Sequence, residues 1–436
     1  MGSRNMTDAL TKSVRLFLHR GVSFCDATLI DSESGTKLHS SRWLYSKHKF
    51  KSTLENLLKP YCEKLQDVTL LDEFADRLSG LRLGGSVAAV FPAGLEQLTS
   101  RYQKSPIHSE SVVLVEPAEW TESWLNESLE ALKKHSIKRL AWQCFPPKSV
   151  EEFFEAQGFE NFKISPDGLY SLLHWRRNLL NASCSGPITE MTEEVQTVLT
   201  TLQSNAAVCW LDEDFSLKTK TENRYGLTST WTHLVYLWAN QKLAKNSDVF
   251  ILDWDGCYKI GAPKKTRWTP WGEVVAPQPS PEITLLQLQP TQTLEKNQLG
   301  HWQWIGKSDQ FEPGPIFLGR GLKPTLVDLA ISPELVATQF EVKNSSSEKL
   351  NRQISSQMGF KHQEDIENAK KVLKAQALSL WADEIFHLSN STEICLLGPF
   401  VEELLPQIKS AGFAKIHTRS DLPTLAELYE VQKWSV

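Results

Sequence analysis

The spacing of apolar and polar positions changes several times along the chain. Two apolar runs in residues 14–31 flank a polar break at residues 19–21, the pattern of a β-hairpin that turns on a glycine. Gly35 gives a second turn, residues 38–45 a strand, and residues 52–58 the start of a helix with Ser52 as its cap. Beyond Gly84-Gly85, residues 87–91 (VAAVF) and 111–116 (SVVLVE) are short apolar runs with the length of buried strands. Thr121 caps a helix to about His135, in which Trp124, Leu125, Leu129 and Leu132 keep helical spacing. A strand over 139–145 and a helix over 151–158, stopped by Gly158, follow. Such alternation predicts a mixed or parallel sheet with helices on its faces.

Residues 181–205 are polar and rich in Ser and Thr, with Gly186-Pro187 among them. That composition predicts a boundary near 180 and two domains, 1–180 and 181–436. Past it, residues 225–239 follow a turn at Gly226, and residues 248–256 (DVFILDWDG) form a core strand delivering Asp253 to its carboxyl end. The Pro-, Gln- and Thr-rich stretch 262–299 is expected to be an exposed excursion. A strand with Trp302 and Trp304 on one face returns the chain to the sheet. The clearest helix covers 364–386, with Ile366, Ala369, Leu373, Leu380, Trp381 and Ile385 in one stripe. A strand over 393–397 ends at Gly398-Pro399; residues 414–417 and 423–431 close the chain as strand and helix.

Composition narrows the function classes. A chain of 436 residues exceeds what one core organises, and 41% apolar with 23% charged residues is ordinary for a globular protein. A net charge of -5 gives no bulk electrostatic case for nucleic acid or an anionic membrane. No apolar run has the length of a membrane helix, and the first residues lack the pattern of a secretory leader. The 7 cysteines are scattered with no Cys-x-x-Cys pair, as expected of reduced thiols in a cytoplasmic protein. The 11 histidines form no metal-cage spacing, and no Ser-His-Asp or Cys-His set follows from spacing, so catalytic residues stay unassigned.

One stretch carries more information than the rest. Residues 311–328 read FEPGPIFLGRGLKPTLVD. Pro313, Gly314, Pro315, Gly319, Arg320, Gly321, Pro324, Thr325 and Asp328 occur here in the order of the P-G-P-A-C-Y-G-R-G-G-x-P-T-V-T-D-A signature, so the stretch resembles the hydantoinase A / oxoprolinase family. Other family landmarks follow in order over residues 14 to 431. The resemblance implies an α/β, actin-like (ribonuclease H-like) ATPase fold of two lobes, each a mixed sheet flanked by helices. It also implies ATP and Mg²⁺ as cofactors. The activity implied is that of an ATP-dependent hydrolase acting on cyclic amides or of a ketone carboxylase subunit, with a hydantoinase B-like subunit or a second copy as partner.

The resemblance also names site residues. The family's first phosphate loop aligns with Gly21, Ser23 and Asp26; Val22 stands for its second glycine and His19 for the acid that holds a metal-bound water. Cys25, in the same loop, reads as a small buried thiol. Its second loop aligns with Asp253 and Gly256, while Asp255 replaces a glycine. Asp26, Asp253 and Asp255 are thus the candidate metal ligands, although an Asp-Gly turn also accounts for Asp253–Gly256. Gly314 and Gly319 of the signature, and Gly398 at the adenosine end, complete the cofactor set. A triphosphate cradle needs several unshielded backbone N–H groups. Most of the glycines that would leave them bare are missing, which implies a weakened or lost ATP site. The alternative to an altered enzyme is a non-catalytic structural or regulatory subunit.

Overall fold

The computed structural model describes residues 13–21, 24–44, 47–72, 87–93, 112–164, 172–211, 217–218, 227–243, 245, 247–254, 256–269, 272–290, 292, 294–296, 302–304, 325–326, 352, 355–356, 359 and 362–432. The chain divides into two compact units. The first comprises Met1–Phe50, Thr232–Ala262 and Pro281–Val436; the second comprises Lys51–Trp231 and Pro263–Ser280.

The first unit opens with an antiparallel meander of β1 (Val14–Arg20), β2 (Phe24–Asp31) and β3 (Lys37–Leu44). The predicted glycine turn is present: the Gly21 N–H donates to the Phe24 carbonyl at 2.8 Å. Helix α1 (Lys47–Leu58) follows and begins earlier than the sequence suggested, so Ser52 lies within it rather than at its cap.

The unit's second sheet has β11 (Asp248–Asp253) at its centre. It pairs antiparallel with β12 (Gly256–Thr269) and parallel with β16 (Glu393–Leu397), which pairs parallel with β17 (Lys415–Arg419). Strand β13 (Gly272–Leu285) lies beside β12. Within the stretch 262–299, expected to be an exposed excursion, residues up to Thr269 and Gly272–Leu285 are thus paired strands. Lys259, buried in β12, is held by Asp248 at 2.9 Å and by the Leu388 carbonyl at 2.7 Å, so its charge is paired where water is scarce.

Helix α6 (Gln363–Leu388) covers this sheet through Ala377, Trp381 and Ile385, which join Phe250, Leu252, Leu396 and Leu404 in one core, and Leu373 is buried as well. Leu380, placed in that stripe from spacing, is instead 50% exposed. Helix α7 (Val401–Ser410), with Pro406 inside it, was not legible as a helix; α8 (Leu425–Gln432) packs Tyr429 against Phe17 at 5.3 Å between ring centroids.

In the second unit, β5 (Val87–Phe91), β6 (Val112–Val115), β7 (Arg139–Trp142) and β8 (Glu160–Lys163) form a parallel sheet in the order β6-β5-β7-β8. This is the predicted alternation, connected by α2 (Glu122–Lys134) and α3 (Lys148–Ala156). The Thr121 hydroxyl caps α2 through the Trp124 N–H at 3.3 Å, and Gly158 ends α3 at φ +86. Strand β4 (Leu65–Asp72) pairs parallel with β9 (Ala207–Leu211).

The polar composition of residues 181–205 conceals α4 (Leu172–Thr201), a helix that runs through most of that Ser/Thr-rich stretch. Its hydroxyls explain why polarity misled. Ser183, Thr192, Thr197, Thr200 and Thr201 each donate to the carbonyl four residues earlier, so they are satisfied within the helix. Asn178 of α4 ties the helix to the sheet. Its amide donates to the carbonyls of Trp142 at 2.9 Å and Phe162 at 3.1 Å, at the ends of two parallel strands. We expect Asn178→Ala to lower stability by about 1–3 kcal/mol in urea denaturation, because its loss leaves buried carbonyl capacity unmet.

Candidate functional site

The candidate residues that fall among the described ones all lie in the first unit. The hairpin register sets His19 opposite Asp26, and the next pair sets Asp26 opposite Arg42. Cross-strand partners share a sheet face, so His19, Asp26 and Arg42 form one row across β1, β2 and β3. Within the row, His19 Nδ1 stands 3.7 Å from Asp26 Oδ2, and Arg42 Nε stands 3.5 Å from Asp26 Oδ1.

Arg42 reaches further. Its terminal nitrogen donates to both oxygens of Asp253, at 2.9 and 3.2 Å. Asp253 sits at the carboxyl end of β11 with only 7% of its side chain exposed. The guanidinium also lies 4.8 Å over the Phe24 ring, a cation–π contact on its apolar side. The two acids expected to bracket a metal therefore meet on one guanidinium. Sequence reasoning passed over Arg42, although the alternation of polar side chains in β3 placed it on a strand beside the candidate loop.

At the turns that the resemblance aligns with nucleotide loops, three described amides donate within the protein. Gly21 donates within the β1–β2 hairpin. The N–H of Cys257, just past the β11–β12 turn, donates to the buried Gln289 side chain at 2.9 Å, and the Gln289 amide returns a bond to the Cys257 carbonyl at 2.8 Å. Gly256 opens β12 opposite Asp253. The Gly398 N–H donates to the Arg419 carbonyl at 2.9 Å. Gly398 has φ +122, and a Cβ there would collide with the Leu252 carbonyl oxygen, so close packing of backbone requires the glycine. The space beside these turns is aromatic: Trp254 meets Phe400 edge-on at 4.3 Å, and Phe400 meets Trp381 at 5.1 Å. All three are buried.

Ser23, Asp255, Gly314 and Gly319 lie outside the described residues; of the signature stretch, Thr325 and Leu326 are described, and both are buried. Among the described residues, no group of three or more His, Cys, Asp and Glu side chains could hold a metal ion. The donor set also argues against Mg²⁺ at Asp26 and Asp253, since the guanidinium already supplies the positive charge between them. Cys25 is buried, as expected. Burial pushes the thiols of Cys257 and Cys395 up, the latter to about 11, so neither is suited to nucleophilic work.

Beside Gly398, Arg419 forms a second charge cluster. It donates to Asp421 at 2.8 and 2.9 Å and to Glu427 at 3.2 Å, and it lies 5.0 Å over Trp238. The Arg419 hydrogen bond holds the Asp421 carboxyl below its usual range. Burial pushes Glu427 up, but the Thr424 N–H and Arg419 outweigh it and its pKa is lowered.

No protein-family model matches the sequence, and no curated protein matches it. Among solved structures, the chain superposes on a nucleotide-free structure of acetone carboxylase, the enzyme of ATP-dependent acetone carboxylation, with a TM-score of 0.66. The sequences are 10% identical, and the match covers 96% of this chain and 70% of that one. It also aligns with a propionate kinase from Francisella tularensis at 10% identity, over 97% of this chain and 98% of that chain, with a TM-score of only 0.33. The fold is therefore the α/β, actin-like ATPase fold implied by the sequence. Among the described residues, no helix is long and apolar enough to cross a membrane.

Two outcomes follow from this geometry. Gly398→Ala should cost about 2–4 kcal/mol in urea denaturation, through strain at a positive φ and collision with backbone. The Arg419 cluster should contribute stability above the ordinary carboxylate range and lose it on acidification, because both carboxyls have lowered folded-state pKa values. The difference in urea midpoint between the wild type and Arg419→Gln should therefore shrink as pH falls from about 5 to about 3.

Proposed function

We propose that this chain is a divergent relative of the hydantoinase A / oxoprolinase enzymes that keeps their fold, has lost ATP-dependent chemistry, and serves as a structural or regulatory subunit of a larger assembly. One observation supports this reading above the others. At the two turns aligned with phosphate loops and at the turn aligned with the adenosine end, the amides of Gly21, Cys257 and Gly398 donate within the protein. Seating a triphosphate there would require breaking hydrogen bonds inside a packed core, and a bound phosphate would gain only what those bonds already give.

The likeness to acetone carboxylase supports a common scaffold, and a scaffold hosts many functions. On this reading the chain contributes shape and surface to a complex, with a hydantoinase B-like chain or a second copy as its partner, and hydrolyses no cyclic amide. ATP and Mg²⁺ do not fit the residues present at these turns.

Isothermal calorimetry with ATP–Mg²⁺, ADP and AMP-PNP tests the reading. We expect no saturable heat with millimolar nucleotide. Saturable binding of ATP–Mg²⁺ would overturn it and restore an ATP-dependent hydrolase or carboxylase subunit.

A further inference from the structure

The row His19–Asp26–Arg42 and the end of β11 raise a question that loss of the phosphate loops does not answer. Two carboxylates, Asp26 on β2 and Asp253 at the end of β11, would repel each other if left together without a positive charge between them. Divalent cations commonly relieve such a pair, and Mg²⁺ in particular is held by one or two carboxylates plus water. Here Arg42 stands 2.9 Å from Asp253 and 3.5 Å from Asp26. Its side chain is 21% exposed, and it rests on the Phe24 ring.

We propose that the Arg42 guanidinium is a tethered cation in the place of a divalent metal, so that Asp26 and Asp253 form a latent metal site that opens only when Arg42 is removed. The inference deepens the reading that ATP–Mg²⁺ chemistry has been lost, but it concerns the metal alone. Three features carry it. Arginine stays protonated at every accessible pH, so the charge is permanent. Its contact to Asp253 spans both carboxylate oxygens, which occupies the face that a metal would use. The aromatic ring beneath favours a flat, weakly hydrated cation over a hydrated ion.

The test uses the full chain and Mn²⁺ as the probe, with free Mn²⁺ read by electron paramagnetic resonance and thermal unfolding compared in EDTA and in millimolar MnCl₂. The wild type should leave Mn²⁺ free and melt at the same temperature in both. Arg42→Ala should bind a single Mn²⁺ with affinity on the order of a hundredfold above the wild type, since a positive charge within contact distance has gone. Its melting temperature should fall in EDTA and recover with Mn²⁺, and Asp253→Asn added to it should abolish both effects. Arg42→Lys should remain without Mn²⁺.

Should Arg42→Ala fail to fold in EDTA, folding restored by Mn²⁺ supports the proposal, and Arg42→Gln, which keeps reach without charge, repeats the binding test. Wild-type Mn²⁺ binding that Asp253→Asn removes would overturn the proposal whatever the variants do. So would folded Arg42→Ala and Arg42→Gln that take up no Mn²⁺. Calorimetric silence toward nucleotide alongside wild-type Mn²⁺ binding would sink the Arg42 inference alone; nucleotide binding without metal binding would sink the functional reading alone.

Discussion

A single guanidinium, shared between the carboxylates of Asp26 and Asp253, is the constraint around which the first unit is arranged. It joins the three-strand meander to the carboxyl end of β11, and it does so between residues far apart in sequence. Asp253, 7% exposed, could not be placed so close to the core without a compensating charge, because ionised groups in low dielectric are costly unless paired. Phe24, which lies under the guanidinium, belongs to the same apolar cluster as Phe250, Leu252 and Trp254. The ion contact therefore sits on the rim of the core and fixes where the strand ends meet.

That arrangement has a chemical consequence. An actin-like ATPase scaffold works by offering bare amides to phosphates and acids to a hydrated metal. In this chain the described turn amides have found acceptors at home, in the Phe24 carbonyl, the Gln289 side chain and the Arg419 carbonyl. Trp254, Phe400 and Trp381 fill the neighbouring space with rings. Likeness of fold to an ATP-dependent carboxylase does not by itself assign a function to this chain.

Much of the architecture was legible where local pattern and tertiary context agree. The hairpin at Gly21, the strand 248–253, the capped helix after Thr121 and the strand ending at Gly398 stand where apolar runs and turn residues put them. The polar face of α4 misled because hydroxyls that favour loops bonded back along the helix instead. The long β12–β13 ribbon was hidden by its prolines, and α7 by Pro406. Within the site, Asp26 and Asp253 were legible and Arg42 was not. A register shift between Leu29 and Ile30 is the reason. Ile30 pairs with Lys37, and carrying that register on would set Arg42 opposite Cys25, on the other face; after the shift, Arg42 stands opposite Asp26. A bulge of this kind leaves little mark in a single sequence, yet it decides which charge meets the acids.

The central claim concerns which cation occupies the space between two carboxylates, and diffraction reads that directly. Crystals grown in EDTA and soaked in MnCl₂ would be measured for anomalous scattering at the manganese edge. The account predicts continuous density for the Arg42 guanidinium against Asp253 and Asp26, and no anomalous peak between them. A manganese peak bridging Asp26 and Asp253, with Arg42 turned away, would contradict it.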